Sequence, residues 1–336
     1  MGALATVTAL ALAGALEPAS RATPRAAAPA SANAAAVATE VSPGIGAVIT
    51  AVGTSAERRG SGIVVGAHEL LTTGDVVAAA ALGASVRVAV GDGHTWPATV
   101  RAVDTVTNLA LLDVPGKRLR PAQLTGAAPV RAGDWIVVVG RTATNGPWVS
   151  SGVVTATGGW VRDADGTPHP GLIATNTELT DDARGGALVD GSGHIVGILA
   201  TVSAGTERAA AMPADMADDV ATQLAASGHA SHGALGVRAT DTDAGPVIAA
   251  IEPGSCAARA GLHVDDRIVA IDGTPTPDTA TLVYELRRRE AGARTVITYQ
   301  RGHRSARTGI ALDDAATTTT TATGGMAPLS LSVTGG

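Results

Sequence analysis

The sequence predicts an all-β body followed by a smaller α+β module, and three observations carry that reading. Between about residues 41 and 213, short β-branched runs recur (GIGAVIT, SGIVV, SVRVAV, LALLDV, WIVVVG, SGVVTA, HIVGILATV), divided by Gly, Asp and Asn. That spacing is the pattern of an antiparallel barrel or sandwich. The 336 residues include 42 glycines and 17 prolines, the supply of turn formers such a body needs. From about residue 233 to 312, strand-like runs (GPVIAAIE, DRIVAIDG, RTVITYQ) mix with two helical stretches, SCAARAG and TATLVYELRRREAG. Between the two regions, MPADMADDVATQLAASG reads as a helix, with Pro213 near its start, Asp in its first turns and Gly228 past its end. The length accommodates two domains, each large enough for its own core.

Composition narrows the function. A net charge of −6, 2% aromatic residues and no Phe argue against a protein that grips nucleic acid through phosphates or base stacking. Lys117 is the only lysine, so arginine carries nearly all the positive charge. A single cysteine, Cys256, rules out an intrachain disulfide and a Cys-cluster metal site, and reads as a buried, inert thiol. No metal-spaced His cluster and no nucleotide-binding loop is present, so no cofactor is expected. The run Arg287, Arg288, Arg289 reads as solvated charge at a helix end.

Residues 2–16, GALATVTALALAGAL, are apolar but shorter than the roughly 20 residues of a spanning helix. No Lys or Arg precedes them, and a Pro/Ala/Ser linker follows. A signal sequence, a single membrane anchor, or either with its start further upstream all fit. Each places the chain outside the cytoplasm, in periplasm or cell wall or secreted. The expected organisation is a leader or anchor at 1–18, a linker at 19–40, the β body at 41–228, the α+β module at 229–313 and a disordered Thr/Gly-rich tail at 314–336.

Several segments, in order, resemble the HtrA (DegP-like) family of trypsin-fold serine proteases with a C-terminal PDZ domain. GSGIVVGAHELLTTGDVV at 60–77 is similar to that family's GSG…L-T-x-x-H-V-V segment, and DTVTNLALLDV at 104–114 to its D-x-x-x-D-L-A-L-L segment. SGVV at 151–154, the block 175–188 with 194–198, and AMPA at 211–214 continue the match. The resemblance spans roughly residues 41–312. It implies a chymotrypsin/trypsin-like double β-barrel followed by an α+β PDZ domain.

The resemblance breaks at the chemistry. It puts the family's catalytic His on Asp75, its Asp on Asn108 and its nucleophilic Ser on Arg184. The mechanism needs a hydroxyl, an imidazole to move its proton and a carboxylate to orient the imidazole. Arg184 has no nucleophile, Asp75 is a poor base at neutral pH, and Asn108 could not orient a restored His. Where the family carries N-P-G-N before the nucleophile, this chain has Thr180, Asp181, Asp182 and Ala183. Asp182 tolerates that Gly's strained turn less well, and Asp181 and Asp182 would oppose a developing oxyanion. No triad is intact. Ser61, Ser150, Ser151 and Ser192 with His68, His94, His169 and His194 are the other hydroxyls and imidazoles of the body, and none occupies the family's position. Because positions 75 and 184 would be neighbours, their opposite charges predict an Asp75–Arg184 ion pair.

In the module, GALGV at 233–237 is similar to the loop whose amides capture a peptide carboxylate in PDZ domains, and P-G-S-x-A-x-x-A-G-L and D-x-I-x-x-I-D-G resemble the PDZ core. Leu235, Gly236, Val237, Leu282 and Leu286, with Ile251, are candidates for the peptide pocket or for the core beneath it. Binding would be by strand addition. Three functions follow from the resemblance: an inactive scaffold binding protein C-termini or unfolded proteins in the cell envelope, an active serine endopeptidase of envelope quality control working through an unrecognised site, or a regulatory subunit of an active paralogue. The family's trimers leave a homo-oligomer open.

Overall fold

The computed structural model describes residues 33–52, 56–91, 94–124, 127–142, 146–163, 166–203, 206, 208–316 and 321–323. The expected leader at 1–18 lies outside them. Among the described residues no helix is long and apolar enough to cross a membrane.

The body is two closed six-stranded barrels. The first uses β1 (Ile45–Val52), β2 (Ala56–Gly66), β3 (Glu69–Thr73), β4 (Ser85–Ala89), β5 (Thr95–Asp104) and β6 (Leu109–Asp113), closed in the order β1-β2-β3-β6-β5-β4. The second uses β7 (Trp135–Thr142) and β8 (Gly146–Ala156), then, beyond a small hairpin of β9 (Trp160–Arg162) and β10 (Pro168–Pro170), β11 (Ile173–Glu178), β12 (Ala187–Asp190), β13 (Ile195–Ser203) and β14 (Arg208–Pro213).

Four strands explain the apolar runs in the sequence. Successive residues of a strand face opposite sides. In β6, Ala110 and Leu112 fill the first barrel while Leu109 and Leu111 face the seam between barrels. In β7, Ile136 and Val138 fill the second barrel while Val137 and Val139 face the seam. β3 and β12 divide their residues the same way, through Leu70 and Leu71, and through Leu188 and Val189. Strands buried on both faces carry no polar alternation, hence LALLD and WIVVVG.

Helix α3 (Ala214–Ser227) covers the seam with Met216, Ala217, Val220 and Leu224, and ends where Gly228 turns left-handed at φ 71°. Residues expected in the 19–40 linker include a helix, α1 (Ala34–Val41). Asn33 caps it through Ala35 N at 2.8 Å, and Val37, Ala38 and Val41 bury against the seam. Three small apolar residues on one helical face suffice to dock it, and Ala-rich composition hid that face.

The second domain is a sheet in the order β21-β20-β18-β17-β16-β23, with β19 (Thr274–Pro275) on β18. Its strands are β16 (Val237–Thr242), β17 (Gly245–Ile251), β18 (Arg267–Ile271), β20 (Arg294–Arg301), β21 (Arg304–Ala311) and β23 (Thr321–Thr323). The short strands β15 (Gly233–Ala234) and β22 (Asp313–Asp314) pair with each other. Helices α4 (Cys256–Arg259) and α5 (Thr279–Arg287) complete the core. Of the expected tail at 314–336, residues 317–320 and 324–336 lie outside the described ones; Asp314 belongs to β22, and residues 321–323 form a short strand beside β16.

Helix α5 joins the domains. Its inner face places Leu282 and Leu286 in the second core, while Tyr284 packs against the first body. Tyr284 needs Gly171 beneath it: a Cβ there would lie 2.2 Å from Cδ2 of the ring. Trp160 Nε1 donates to Thr279 Oγ1 at 3.0 Å, and Arg288 meets Asp215 of α3 at 3.0 Å. The arginine run is therefore not free in solvent: Arg288 bridges the domains, and Arg289 pairs with Asp272 at 2.9 Å and Glu285 at 3.0 Å.

At the centre of this contact lies a buried pair. His232, in the connection between domains, places Nε2 2.8 Å from Asp104 Oδ2 at the end of β5, and Nδ1 2.8 Å from the Arg287 carbonyl. Both partners are acceptors, so both ring nitrogens carry protons and His232 is an imidazolium. Asp104 accepts further from Thr107 N at 3.1 Å and Val106 N at 3.2 Å. Burial opposes charge on both groups, but Asp104 and the Arg287 carbonyl hold His232 above its ordinary pKa, and His232 with Thr107 holds Asp104 below its own. The nearby Arg287 guanidinium opposes the His232 charge and favours that of Asp104.

A raised His pKa contributes stability that is complete below about pH 6.5, the unfolded value, and is lost as pH climbs through the folded one. The lowered Asp pKa contributes stability present above its unfolded value and lost as pH falls through the folded one. Thermal unfolding followed from pH 5 to 9 should therefore show stability declining above about pH 6.5, and His232→Gln should flatten that slope. His232→Ala, which strands the carboxylate, should destabilise by about 3–5 kcal/mol in urea titrations. A slope unchanged in His232→Gln would assign the pH dependence elsewhere.

Candidate functional site

Three loops, each hung from a seam strand, meet in a cleft of about 690 Å³ between the barrels. Asp75 sits in a single helical turn, α2 (Gly74–Val77), directly after β3. Asn108 lies just before β6 with φ 56°, a left-handed conformation that Asn tolerates. Arg184 follows a 3₁₀ turn at Asp181–Ala183 and precedes Gly185, Gly186 and β12. The strands thus deliver to one point the three residues that the sequence places together.

Their side chains interlock. Arg184 Nη1 lies 3.0 Å from Asp75 Oδ2, the ion pair expected from the opposite charges. Asn108 Nδ2 donates to Asp75 Oδ1 at 3.4 Å. Arg58 Nη1 donates to the Asp75 carbonyl at 2.9 Å, and Arg184 Nη2 reaches Asp181 Oδ1 at 3.9 Å. Both carboxylate oxygens of Asp75 face donors. Asp182 and Ala183 differ: Asp182 lines the cleft, whereas Ala183 is buried in the second barrel.

The loop before Arg184 is closed on itself. Arg184 N donates to the Asp181 carbonyl at 3.1 Å and Ala183 N to that of Thr180 at 3.0 Å. An oxyanion hole needs backbone N–H groups aimed at the position where negative charge develops, and the Arg184 N–H is engaged within the turn. Beneath it, Gly185 at φ 79° has no room for a side chain, since a Cβ would stand 2.3 Å from the Ser61 carbonyl.

Of the other hydroxyls and imidazoles, Ser61, His68, His169 and His194 have structural partners. Ser61 is buried in β2, accepts from Arg141 N at 2.7 Å and donates to the Asp182 carbonyl. It is a strut under the loop. Ser150 and Ser151 lie within β8, and Ser192 N donates to Asp190 Oδ1 at 2.8 Å. His68 Nδ1 meets the Lys117 carbonyl at 2.9 Å, and His194 lies 3.6 Å from Asp190. His169 is the exception in position. It sits on the β9–β10 hairpin with Nε2 2.9 Å from Asp163 Oδ2, and both line the cleft. In the sequence His169 is one of four imidazoles of the body, none at the family's catalytic position. The pair spans six positions across a hairpin closed by Gly166, a signal visible only once that hairpin is known.

In the second domain, Leu235, Val237, Leu282 and Leu286 are all fully buried in the core. Gly236 turns left-handed at φ 68°, and its carbonyl accepts from Glu252 N at 2.9 Å, fixing the loop between β15 and β16. Ile251 packs partly buried beside the core. Cys256 lies under this loop with Sγ 3.2 Å from the Ala234 carbonyl, and burial pushes its thiol up to about 11. Among the described residues no cluster of His, Cys, Asp and Glu could hold a metal ion.

The Asp75–Arg184 pair is about a quarter exposed on each side (28% and 24%), a setting in which an ion pair is worth about 1 kcal/mol or less. Arg184→Ala should lower unfolding free energy by no more than that in urea titrations; a loss above about 3 kcal/mol would make the pair a principal structural support.

Comparison with known proteins agrees with this architecture. Residues 60–198 match the trypsin-like peptidase domain and residues 233–312 the PDZ domain. A DegP-like periplasmic serine endoprotease of Pseudomonas fluorescens is 30% identical over 255 residues, 71% of this chain and 52% of that protein. The serine protease PepD of Mycobacterium tuberculosis is 30% identical over 286 residues, 77% of this chain and 61% of that one. The chain thus spans about half to three-fifths of the length of the curated relatives it matches. Among solved structures, the HtrA-type protease AlgW with a tripeptide superposes with a TM-score of 0.67 at 25% identity, covering 84% of this chain and 97% of that one. With both domains present, in that order and in that fold, the chain belongs to the HtrA family of trypsin-like serine proteases carrying a PDZ domain.

Proposed function

We propose that this chain is a catalytically silent HtrA-family member that binds protein C-termini or unfolded segments outside the cytoplasm. The observation that carries the reading is the Arg184–Asp75 ion pair in the cleft, taken with the resemblance, which puts the family's nucleophile on Arg184 and its general base on Asp75. A guanidinium offers no lone pair for attack and stays protonated at any ordinary pH. Both carboxylate oxygens of Asp75 are already engaged, one by Arg184 and one by Asn108. The internally bonded Arg184 N–H removes one donor from the place where an oxyanion would form. The relatives' names, periplasmic endoproteases, support an extracytoplasmic setting, as does the apolar segment at residues 2–16.

Binding then falls to the PDZ domain. A peptide would add as a strand to the edge of β16, with α5 as the groove's other wall and the Leu235–Gly236 loop receiving the terminal carboxylate. Leu235, Val237, Leu282 and Leu286 form the apolar floor rather than projecting side chains.

The natural chain should neither degrade casein nor be labelled by a fluorophosphonate. The triple reversion Asp75→His, Asn108→Asp, Arg184→Ser should be labelled only weakly. Adding Asp182→Gly, which frees the turn, should raise its labelling rate by about 10²-fold, the usual worth of an oxyanion donor. Cleavage by the natural chain, abolished by changing one serine, would overturn the reading in favour of an active endopeptidase. Co-purification with an active relative whose rate it alters would make it a regulatory subunit.

A further inference from the structure

The sheet of the second domain ends on β21. Among the described residues this strand pairs only with β20, without a bulge, from Arg294 opposite Ala311 to Arg301 opposite Arg304. Gly302, left-handed at φ 58°, and His303 make the two-residue turn between them. In such a hairpin the residues flanking the turn form a hydrogen-bonded pair, and bonded and open pairs alternate from there. Arg304, Ala306, Thr308 and Ile310 therefore turn their backbone groups towards β20. Ser305, Arg307, Gly309 and Ala311 turn theirs outwards. The side chains of those four lie on the face away from the core: all four residues are exposed, whereas Ile310 is buried. Proteins commonly blunt a free edge with a proline or a bulge, and β21 has neither. Gly309 instead leaves it open, since a Cβ there would meet nothing within 4 Å, and a strand glycine lets another backbone come close.

The charge on this edge has one sign. Residues 291–312 contain four arginines and no acid, in a chain of net charge −6. Arg301 is taken by Asp266 at 2.7 Å. Among the described residues no carboxylate pairs with Arg294, Arg304 or Arg307. Asp272, at the N–H of Val296 (2.7 Å), is already bound to Arg289. On the outward face Arg307 and Arg294 bracket an apolar step: Val296, 44% exposed, lies opposite Gly309, with Arg307 two residues before Gly309 and Arg294 two before Val296.

We propose that β21 is a strand-addition edge separate from the β16 groove, and that its occupant is an acidic extended segment of another protein with the alternation acid–x–apolar–x–acid. The apolar side chain lies over Gly309 beside Val296, and the two carboxylates face Arg307 and Arg294. That order reads the same in both directions, so parallel and antiparallel pairing present the same side chains. A second copy of this chain suits the edge poorly, because β20 and β21 would bring arginines to arginines. A polyphosphate or nucleic acid would answer the charge but leave the outward backbone groups of four residues unused.

The probe is the peptide GSETVTESG, acetylated and amidated so that it carries no terminal carboxylate. At ten times its Kd it should protect the amides of Arg307 and Gly309 in the full chain from hydrogen exchange about tenfold, with Thr295 and Ile297 unchanged as a folding control. Arg294→Glu with Arg307→Glu, both at exposed positions, should weaken it at least about fivefold and let the lysine counterpart GSKTVTKSG bind instead. Protection that survives this double change would overturn the assignment of an acidic partner. Equal binding of the shuffled GSEEVTTSG, without amide protection and displaced by polyphosphate, would overturn strand addition in favour of a surface that reads charge alone. No binding of GSETVTESG below about 1 mM would overturn the proposal and leave the arginines as guards against edge pairing.

Discussion

The seam between the two barrels fixes everything else. Four strands, β3, β6, β7 and β12, are buried on both faces there, and two helices seal its ends. Doubly buried strands cannot slip by one residue, because a slip would exchange every side chain between barrel and seam. Asp75 follows β3, Asn108 precedes β6 and Arg184 precedes β12. Their convergence is therefore a property of the core, independent of the chemistry the three residues carry. This is why the cleft keeps its geometry whichever side chains line it.

Within the cleft, local forces choose the arrangement but contribute little to stability. Arg184 and Asp75 are partly wet, so their attraction is screened. What the pair does is occupy the site and consume hydrogen-bonding capacity, together with the 3₁₀ turn that engages the Arg184 N–H. Stability and site chemistry are thus separable here, and residues at the site can change without loosening the seam.

The domain junction is the opposite case. His232 and Asp104 are fully buried, and the geometry of two acceptors around one imidazole demands charge. Burying an ion pair is costly unless its remaining valences are met, and Thr107, Val106 and the Arg287 carbonyl meet them. Since Arg287 and Tyr284 belong to α5, the groove helix is held by the same contact that joins the domains. Titration of one histidine reaches the wall of the proposed peptide groove, as does any shift of α5.

By itself the sequence determined the two domains and their order, the positions of most strands and helix α3, and, through the resemblance, which three residues, Asp75, Asn108 and Arg184, come together in the cleft. Those features are written in local patterns: β-branched runs, turn formers and motif spacing survive in one dimension. Even the Asp75–Arg184 pair was legible, once resemblance set the two positions side by side. The tertiary structure alone decided the rest. Helix α1 was hidden because alanines in a linker and alanines on a buried face read alike. The His232–Asp104 pair joins residues 128 positions apart, and no local signal marks either one. The His169–Asp163 pair depends on a hairpin closing, and the strand at 321–323 on an edge left open by β16. In each case the partner is supplied by folding, and a side chain's charge, pairing and exposure are settled by what packs against it rather than by its neighbours in the chain.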